Sequence, residues 1–132
     1  MQILRIGKVM WSHDYDLGTL GLANDGGALF AFTLPPHHYT GEIILTPKSL
    51  VLDGDGYEHI PLDSLEQLYL GFDDFYKRSM VRSNGLFWQP LRLRYRLKEE
   101  LKTLYLIVDH TLFGAKNQLW FNTLKQLVSR NA

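Results

Sequence analysis

Residues 91–98, LRLRYRLK, alternate basic and larger apolar side chains along one short stretch of the chain. In an extended strand, side chains two positions apart lie on the same face, so Arg92, Arg94, Arg96 and Lys98 are predicted to share one face. Guanidinium groups bind the oxygens of carboxylates and phosphates through paired hydrogen bonds. This face is therefore a candidate anion-binding surface for phosphate, an acidic peptide or a nucleic-acid backbone.

An acid-rich segment offers a simpler role for these arginines. Residues 53–74 contain seven carboxylates and no Lys or Arg. Opposite charges on neighbouring strands form cross-strand pairs. We therefore favour the interpretation that the arginines pair with acids of the same chain. The seven acids are Asp53, Asp55, Glu58, Asp63, Glu66, Asp73 and Asp74.

A second candidate surface lies in the long connection from Gly71 to Pro90, where SNGLFWQP follows three basic residues. Aromatic side chains beside basic ones on a loop are typical of residues that dominate a protein contact, or of a wedge at a membrane surface. The alternative is that Phe87 and Trp88 fold back and form a small second core. The candidate binding residues of both surfaces are Lys77, Arg78, Arg82, Phe87, Trp88, Arg92, Arg94 and Arg96.

Motifs for metal, cofactor or nucleophilic chemistry are missing from the sequence. The five histidines have no metal-ligand spacing. The segment that begins at Asp53 resembles a calcium loop, but Glu58 and Ser64 occupy the positions that need Gly and Glu. No phosphate-binding loop or nucleophile elbow is present. The sequence therefore predicts a protein that is not an enzyme and has no metal or cofactor.

Composition limits the remaining classes of protein. The 132 residues suit one domain, and 14 basic residues balance 14 acidic ones, so no net charge attracts the whole molecule to nucleic acid or membrane. The chain has no cysteine and therefore no disulfide framework. No apolar run approaches the roughly 20 residues of a membrane-spanning helix, and the first residues are unlike a signal peptide. We expect a cytoplasmic protein without a transmembrane segment.

Short runs of alternating polar and apolar residues, closed by Gly or Pro, indicate consecutive antiparallel strands. The predicted strands are Ile3–Trp11, Gly18–Ala23, Ala28–Leu34, Glu42–Thr46, Ser49–Asp53, Leu65–Phe72, Leu91–Leu97 and Thr103–Val108. From residue 115 to 130, Trp120, Leu124, Leu127 and Val128 recur at helical spacing. The predicted fold is mainly β, an antiparallel sandwich or partly open barrel closed by one C-terminal amphipathic helix.

The order of several segments resembles the pleckstrin-homology-like superfamily, particularly its bacterial and GRAM-like branches, over roughly residues 27–130. The segments are GEIILTPKSLVL, HIPLDSLEQLYLG, LRLRYRL, TLYLIV and NQLWFNTLKQLV. The resemblance implies that Ile43, Leu45, Leu50 and Leu52 point into a barrel, with residues 46–48 as a turn. It implies one domain over residues 1–132, with extra strands in 1–26, core strands in 27–114 and the helix in 115–130.

The resemblance also implies a function. Relatives that bind phosphoinositides supply Lys and Arg from the loop between their first two strands, whereas PPHHYTG at the matching position here has neither. Phosphoinositide binding is therefore not expected. We expect a non-catalytic adaptor or ligand-binding module that recognises a protein or other partner through its loops and sheet edges, with self-association through an edge as one form of this.

A second resemblance gives the alternative function. Residues 7–32 are similar to the first three strands of a cold-shock domain, with Trp11, Phe30 and Phe32 near its stacking positions. This implies binding of single-stranded nucleic acid on an OB-type barrel. The segment LGTLGL, residues 17–22, lacks the aromatics and the lysine of that family. Nucleic-acid binding is therefore the second hypothesis.

Overall fold

The computed structural model describes residues 2–17, 37–78, 81, 87–111 and 114–131. The strands are β1 (Arg5–His13), β2 (Tyr39–Leu45), β3 (Ser49–Gly54), β4 (Tyr57–Pro61), β5 (Leu65–Leu70), β6 (Leu91–Leu97) and β7 (Glu100–Val108). A short 3-10 helix, Leu62–Ser64, joins β4 to β5, and the helix α1 spans Asn117–Asn131.

The seven strands form one antiparallel sheet in the order β4-β3-β2-β1-β7-β6-β5. The sheet curls into a half-barrel, and α1 packs against β5, β6 and β7. The predicted fold class, an antiparallel β structure closed by one C-terminal helix, is confirmed. Strands β4 and β5 are the two edges of the sheet.

Strand β1 lies in the middle of this sheet, paired with β2 on one side and β7 on the other. Residues 5–13, part of the segment 1–26 predicted to hold the extra N-terminal strands, thus form a central strand of the sheet. Strand β2 begins at Tyr39, three residues before the predicted start at Glu42. The last residues of PPHHYTG, residues 35–41, therefore belong to this strand. The predicted strands Gly18–Ala23 and Ala28–Leu34 lie outside the described residues.

The inner face of the sheet carries the main hydrophobic core. Ile43, Leu45, Leu50 and Leu52 are fully buried there, as predicted. The turn between β2 and β3 is also as predicted: the Thr46 N–H donates to the carbonyl of Ser49 at 2.9 Å, and the Thr46 hydroxyl accepts from the Ser49 N–H at 3.0 Å. This local hydrogen bonding suits Thr at the start of a tight turn.

Two glycines allow β2 and β3 to approach closely where the sheet bends. Gly41 and Gly54 face each other across the two strands. A Cβ atom on Gly54 would lie 2.1 Å from the carbonyl oxygen of Thr40, and one on Gly41 would lie 2.3 Å from that of Asp53. Because backbone atoms occupy this space, only glycine fits, and such positions give a sheet its curvature.

Helix α1 docks through one apolar stripe and one buried amide. Trp120 and Leu124 are buried in the main core. The Asn117 side chain accepts from the Val108 N–H at 2.7 Å and donates to the carbonyls of Gln89 at 2.7 Å and Leu106 at 3.1 Å. A buried amide with its hydrogen bonds made fixes the first turn of the helix against β7.

A second, smaller core lies on the outer face of the sheet. Its buried members are Met10, Leu17, Tyr76, Val81, Tyr105 and Ile107, with Phe72, Trp88 and Ala115 packed against them. Most of these residues belong to strands β1 and β7 and to the connection between β5 and β6. That connection therefore folds back over the sheet.

Candidate functional site

Asp73 fixes the first part of the β5–β6 connection. Its Oδ1 accepts from the N–H groups of Phe75 at 2.9 Å and Tyr76 at 2.8 Å. Its Oδ2 accepts from the Tyr105 hydroxyl at 2.6 Å and from Arg92 Nη1 at 2.8 Å. Burial raises the pKa of Asp73, but these hydrogen bonds outweigh it and hold the pKa below its ordinary value. The connection is thus anchored to β6 and β7.

The two aromatic residues before β6 have different environments. Trp88 is half-buried in the second core, with its ring centroid 6.2 Å from that of Phe72 and 6.4 Å from that of Tyr76. Phe87 is 64% exposed. Of the two roles that the sequence left open, Trp88 therefore takes the structural one, while Phe87 is available for contact.

A surface concavity of about 370 Å³ lies between this connection and the start of α1. Its lining residues are Leu70, Arg78, Phe87, Trp88, Gln89, Ala115, Asn117 and Gln118. The guanidinium carbon of Arg78 stands 4.9 Å from the centre of the Phe72 ring, so the arginine is stacked beside the second core. We call this surface the loop surface.

The other basic candidates of this region do not line the concavity. Lys77 is exposed and lies outside the lining of the loop surface. Arg82 lies outside the described residues. Arg78 is thus the one basic candidate that the described part of the chain places on the loop surface.

Strand β6 presents its arginines on the outer face, as predicted, while Leu91, Leu93 and Tyr95 are buried on the inner face. Two of the arginines pair with acids of β5 and the following connection. Arg92 donates to Asp73, and Arg96 donates to Glu66 at 2.7 Å. The preferred interpretation of the basic stretch, pairing within the chain, is confirmed for these two residues.

Sequence reasoning missed a polar cluster at the end of the half-barrel away from α1. His13 is 4% exposed, and its Nε2 lies 3.3 Å from Glu58 Oε2. The Tyr95 hydroxyl donates to Glu58 Oε1 at 3.0 Å. The hydrogen bond from His13 holds the pKa of Glu58 below its ordinary value, although burial opposes the shift. These residues come from β1, β4 and β6, so no local sequence pattern could have predicted the cluster.

This cluster has a clear structural role. Glu58 lies on the edge strand β4, and its two partners lie on strands elsewhere in the sheet. These hydrogen bonds therefore link the edge strand β4 to β1 and β6 across the inner face of the sheet. The ionised carboxylate only accepts hydrogen bonds, so His13 Nε2 carries a proton and donates it. We call these three residues the polar latch.

Within the described ranges, no group of three or more His, Asp or Glu side chains is placed to hold a metal ion. In the same part of the chain, no helix is both long and apolar enough to cross a membrane.

Comparison with known proteins supports the fold. No family model matches the chain, and no curated protein matches it. Among solved structures, the chain is similar to the hSac2 domain from human phosphoinositide phosphatase Sac2. The TM-score is 0.57 at 14% sequence identity, over 99% of this chain and 73% of that one. At this level of identity the similarity shows the fold alone, a curled antiparallel sheet closed by one C-terminal helix.

Proposed function

We propose that the protein is a non-catalytic binding module that recognises a partner protein through the loop surface. The observation that carries the proposal is the exposure of Phe87 on the rim of a concavity, beside Arg78. Aromatic and arginine side chains around a pocket are typical of the residues that dominate protein interfaces. The resemblance to pleckstrin-homology-like modules agrees with a binding role.

The loop surface is suited to binding because its backbone is anchored beforehand. Asp73 ties the connection to β6 and β7, and Trp88 packs into the second core. A preformed surface loses less conformational entropy when a partner binds. Burial of an exposed Phe side chain contributes about 1.5–3 kcal/mol, so Phe87 alone provides a substantial part of a moderate affinity.

The ion pairs on β6 favour a protein partner over single-stranded nucleic acid. Phosphate binding is strengthened by each cation that is free to neutralise a phosphate. Arg92 and Arg96 are held by Asp73 and Glu66, so the predicted basic stretch offers fewer free cations than its sequence suggests.

The test is affinity capture from the cell's own lysate at low and high salt, followed by titration calorimetry with the purified partner. We expect a protein captured at both salt concentrations, with affinity lowered at least about tenfold by Phe87→Ala, equivalent to about 1.4 kcal/mol. Phe75→Ala is the matched control, because Phe75 is 51% exposed but does not line the concavity.

Two results would contradict the proposal. One is a partner whose affinity is unchanged by Phe87→Ala. The other is nucleic acid captured at low salt only, which would favour the second hypothesis. Capture of the chain's own copies, checked by sedimentation velocity, would identify self-association as the form of recognition.

A further inference from the structure

Arg94 differs from the two arginines beside it on β6. Arg92 donates to Asp73 and Gln67, and Arg96 donates to Glu66 through two nitrogens. Arg94 has no hydrogen bond or ion pair with any residue in the described ranges. Its Nε, like that of Arg92, is closed off from water and has no acceptor, but Arg92 is paired through its other nitrogens. A guanidinium that is half-buried and unpaired is the exception in folded proteins.

The residues beside Arg94 on the neighbouring strands are also hydrogen-bond donors. Arg94 pairs in register with Gln67 on β5 and with Thr103 on β7, so the three side chains form a row on the outer face. Gln67 Oε1 already accepts from Arg92 Nη2 at 2.8 Å, which leaves the amide nitrogen as a donor. Within the described ranges, the side chains of Arg94 and Thr103 make no hydrogen bond. An oxygen acceptor from another molecule would complete the row.

We propose that Arg94, together with Gln67 and Thr103, binds one carboxylate group of a partner protein. A guanidinium flanked by an amide and a hydroxyl presents several N–H and O–H groups to the two oxygens of a carboxylate. We call this row of three residues the carboxylate site. This proposal rests on the proposed function only for the source of the carboxylate. That source would be an acidic side chain or the C-terminus of the partner bound at the loop surface.

The charges on either side of the row favour a carboxylate over a phosphate. Residues two apart on a strand are separated by about 6.6 Å, so Arg92 and Arg96 stand close to Arg94 on the same face. Each of these neighbours holds a carboxylate, Asp73 on one side and Glu66 on the other. Among the three arginines, only the positive charge of Arg94 therefore remains uncompensated. A ligand with a single negative charge would balance it. A doubly charged phosphate would keep one uncompensated negative charge in this partly buried row, which is unfavourable.

The experiment is an NMR titration of the ¹⁵N-labelled full chain with sodium acetate at constant ionic strength, following the arginine Nε–H signals. A parallel titration uses inorganic phosphate. We expect acetate to shift one Nε–H signal saturably, and that signal to be absent from Arg94→Gln. Lys48→Gln is the control for the loss of one positive charge, because Lys48 is exposed on the turn between β2 and β3 and its removal frees no carboxylate beside Arg94. It should leave the acetate response unchanged.

A second variant keeps the test valid if Arg94→Gln folds poorly. Thr103→Val retains Arg94 and removes one hydroxyl donor, so acetate should bind about two- to tenfold more weakly, the range for one hydrogen bond. The proposal is overturned if acetate produces no saturable shift, if the shift persists in Arg94→Gln, or if phosphate saturates at a lower concentration than acetate. This result is separate from the capture experiment with Phe87→Ala, so either proposal can fail alone.

Discussion

At the scale of single residues, a few polar side chains connect parts of the chain that are distant in sequence. Asp73 joins the β5–β6 connection to β6 and β7, Asn117 joins α1 to β7, and Glu58 joins β4 to β1 and β6. Each is shielded from water, where an unpaired polar group is costly. Their hydrogen bonds therefore make the observed arrangement specific as well as stable.

Glu58 gives a prediction about the dependence of stability on pH. Its pKa is lowered in the folded state, so its ionised form stabilises the fold above the ordinary carboxyl pKa of about 4.3. This contribution is lost as the pH falls through the folded-state pKa. Glu58→Gln should lower the free energy of unfolding by about 1 kcal/mol near neutral pH. The difference from the unmodified chain should shrink towards zero in acid.

The measurement is urea unfolding of both chains across the acidic range. Glu42→Gln serves as the control, because Glu42 is exposed and has no hydrogen-bond partner in the part of the chain that the structure describes. It should leave stability nearly unchanged at every pH. A deficit for Glu58→Gln that stays constant into acid would argue against the ionised latch.

At the scale of elements, α1 closes the half-barrel through Trp120. The residue is buried beside Leu124 in the main core and lies 6.0 Å from the guanidinium carbon of Arg5 on β1. Trp120→Ala should destabilise the protein by about 3–5 kcal/mol, as large-to-small core changes do. Thermal unfolding measures this directly. An unchanged melting temperature would be incompatible with a helix that closes the sheet.

A substitution at the neighbouring position 119 tests whether the loss for Trp120→Ala comes from core packing or from a general weakening of the helix. Leu119 is 42% exposed, and its replacement by Ala removes a side chain that makes little contact with the sheet. Because Ala has the highest helix propensity, Leu119→Ala should change stability by less than about 0.5 kcal/mol. A large loss for Leu119→Ala would mean that its side chain contributes more to the packing of α1 than its exposure indicates.

The sequence predicted the strands and the helix in which apolar residues repeat regularly along one buried face. Strand β6 has the predicted bounds because its residues alternate strictly, and α1 begins only two residues later than predicted. Strand β4 was missed because Ile60 is its one fully buried apolar residue and Pro61 ends it. The central position of β1 could not be predicted, because pairing with β7 depends on residues about 100 positions away.

The site was predictable only where neighbours in sequence are neighbours in space. The sequence singled out the region around Phe87 as a candidate. The different environments of Phe87 and Trp88 could not be predicted, because they depend on the second core, which is built from distant strands. The unpaired state of Arg94 likewise depends on which acids face β6. No local pattern contains that information.

At the scale of the whole molecule, the half-barrel is closed by different means at its two ends. Arg5, at the start of β1, lies beside Trp120 of α1, and His13, at the end of β1, belongs to the polar latch. Arg5 and His13 are the first and last of the nine residues of β1, so eight rises of about 3.3 Å place them roughly 26 Å apart. Apolar packing closes one end, and hydrogen bonds to a carboxylate close the other.

This separation predicts that changes at the two ends act independently. Leu127 packs against the main core from α1, whereas Glu58 forms its hydrogen bonds with His13 and Tyr95 in the polar latch. The stability losses of Leu127→Ala and Glu58→Gln should therefore add to within about 0.5 kcal/mol in the double variant. Leu127→Ala combined with Leu124→Ala, one helical turn apart, should depart from additivity. Urea unfolding of the three single variants, the two double variants and the parent chain measures both sums. Coupling well above 0.5 kcal/mol between Leu127 and Glu58 would mean that the sheet transmits strain along β1 from one end to the other.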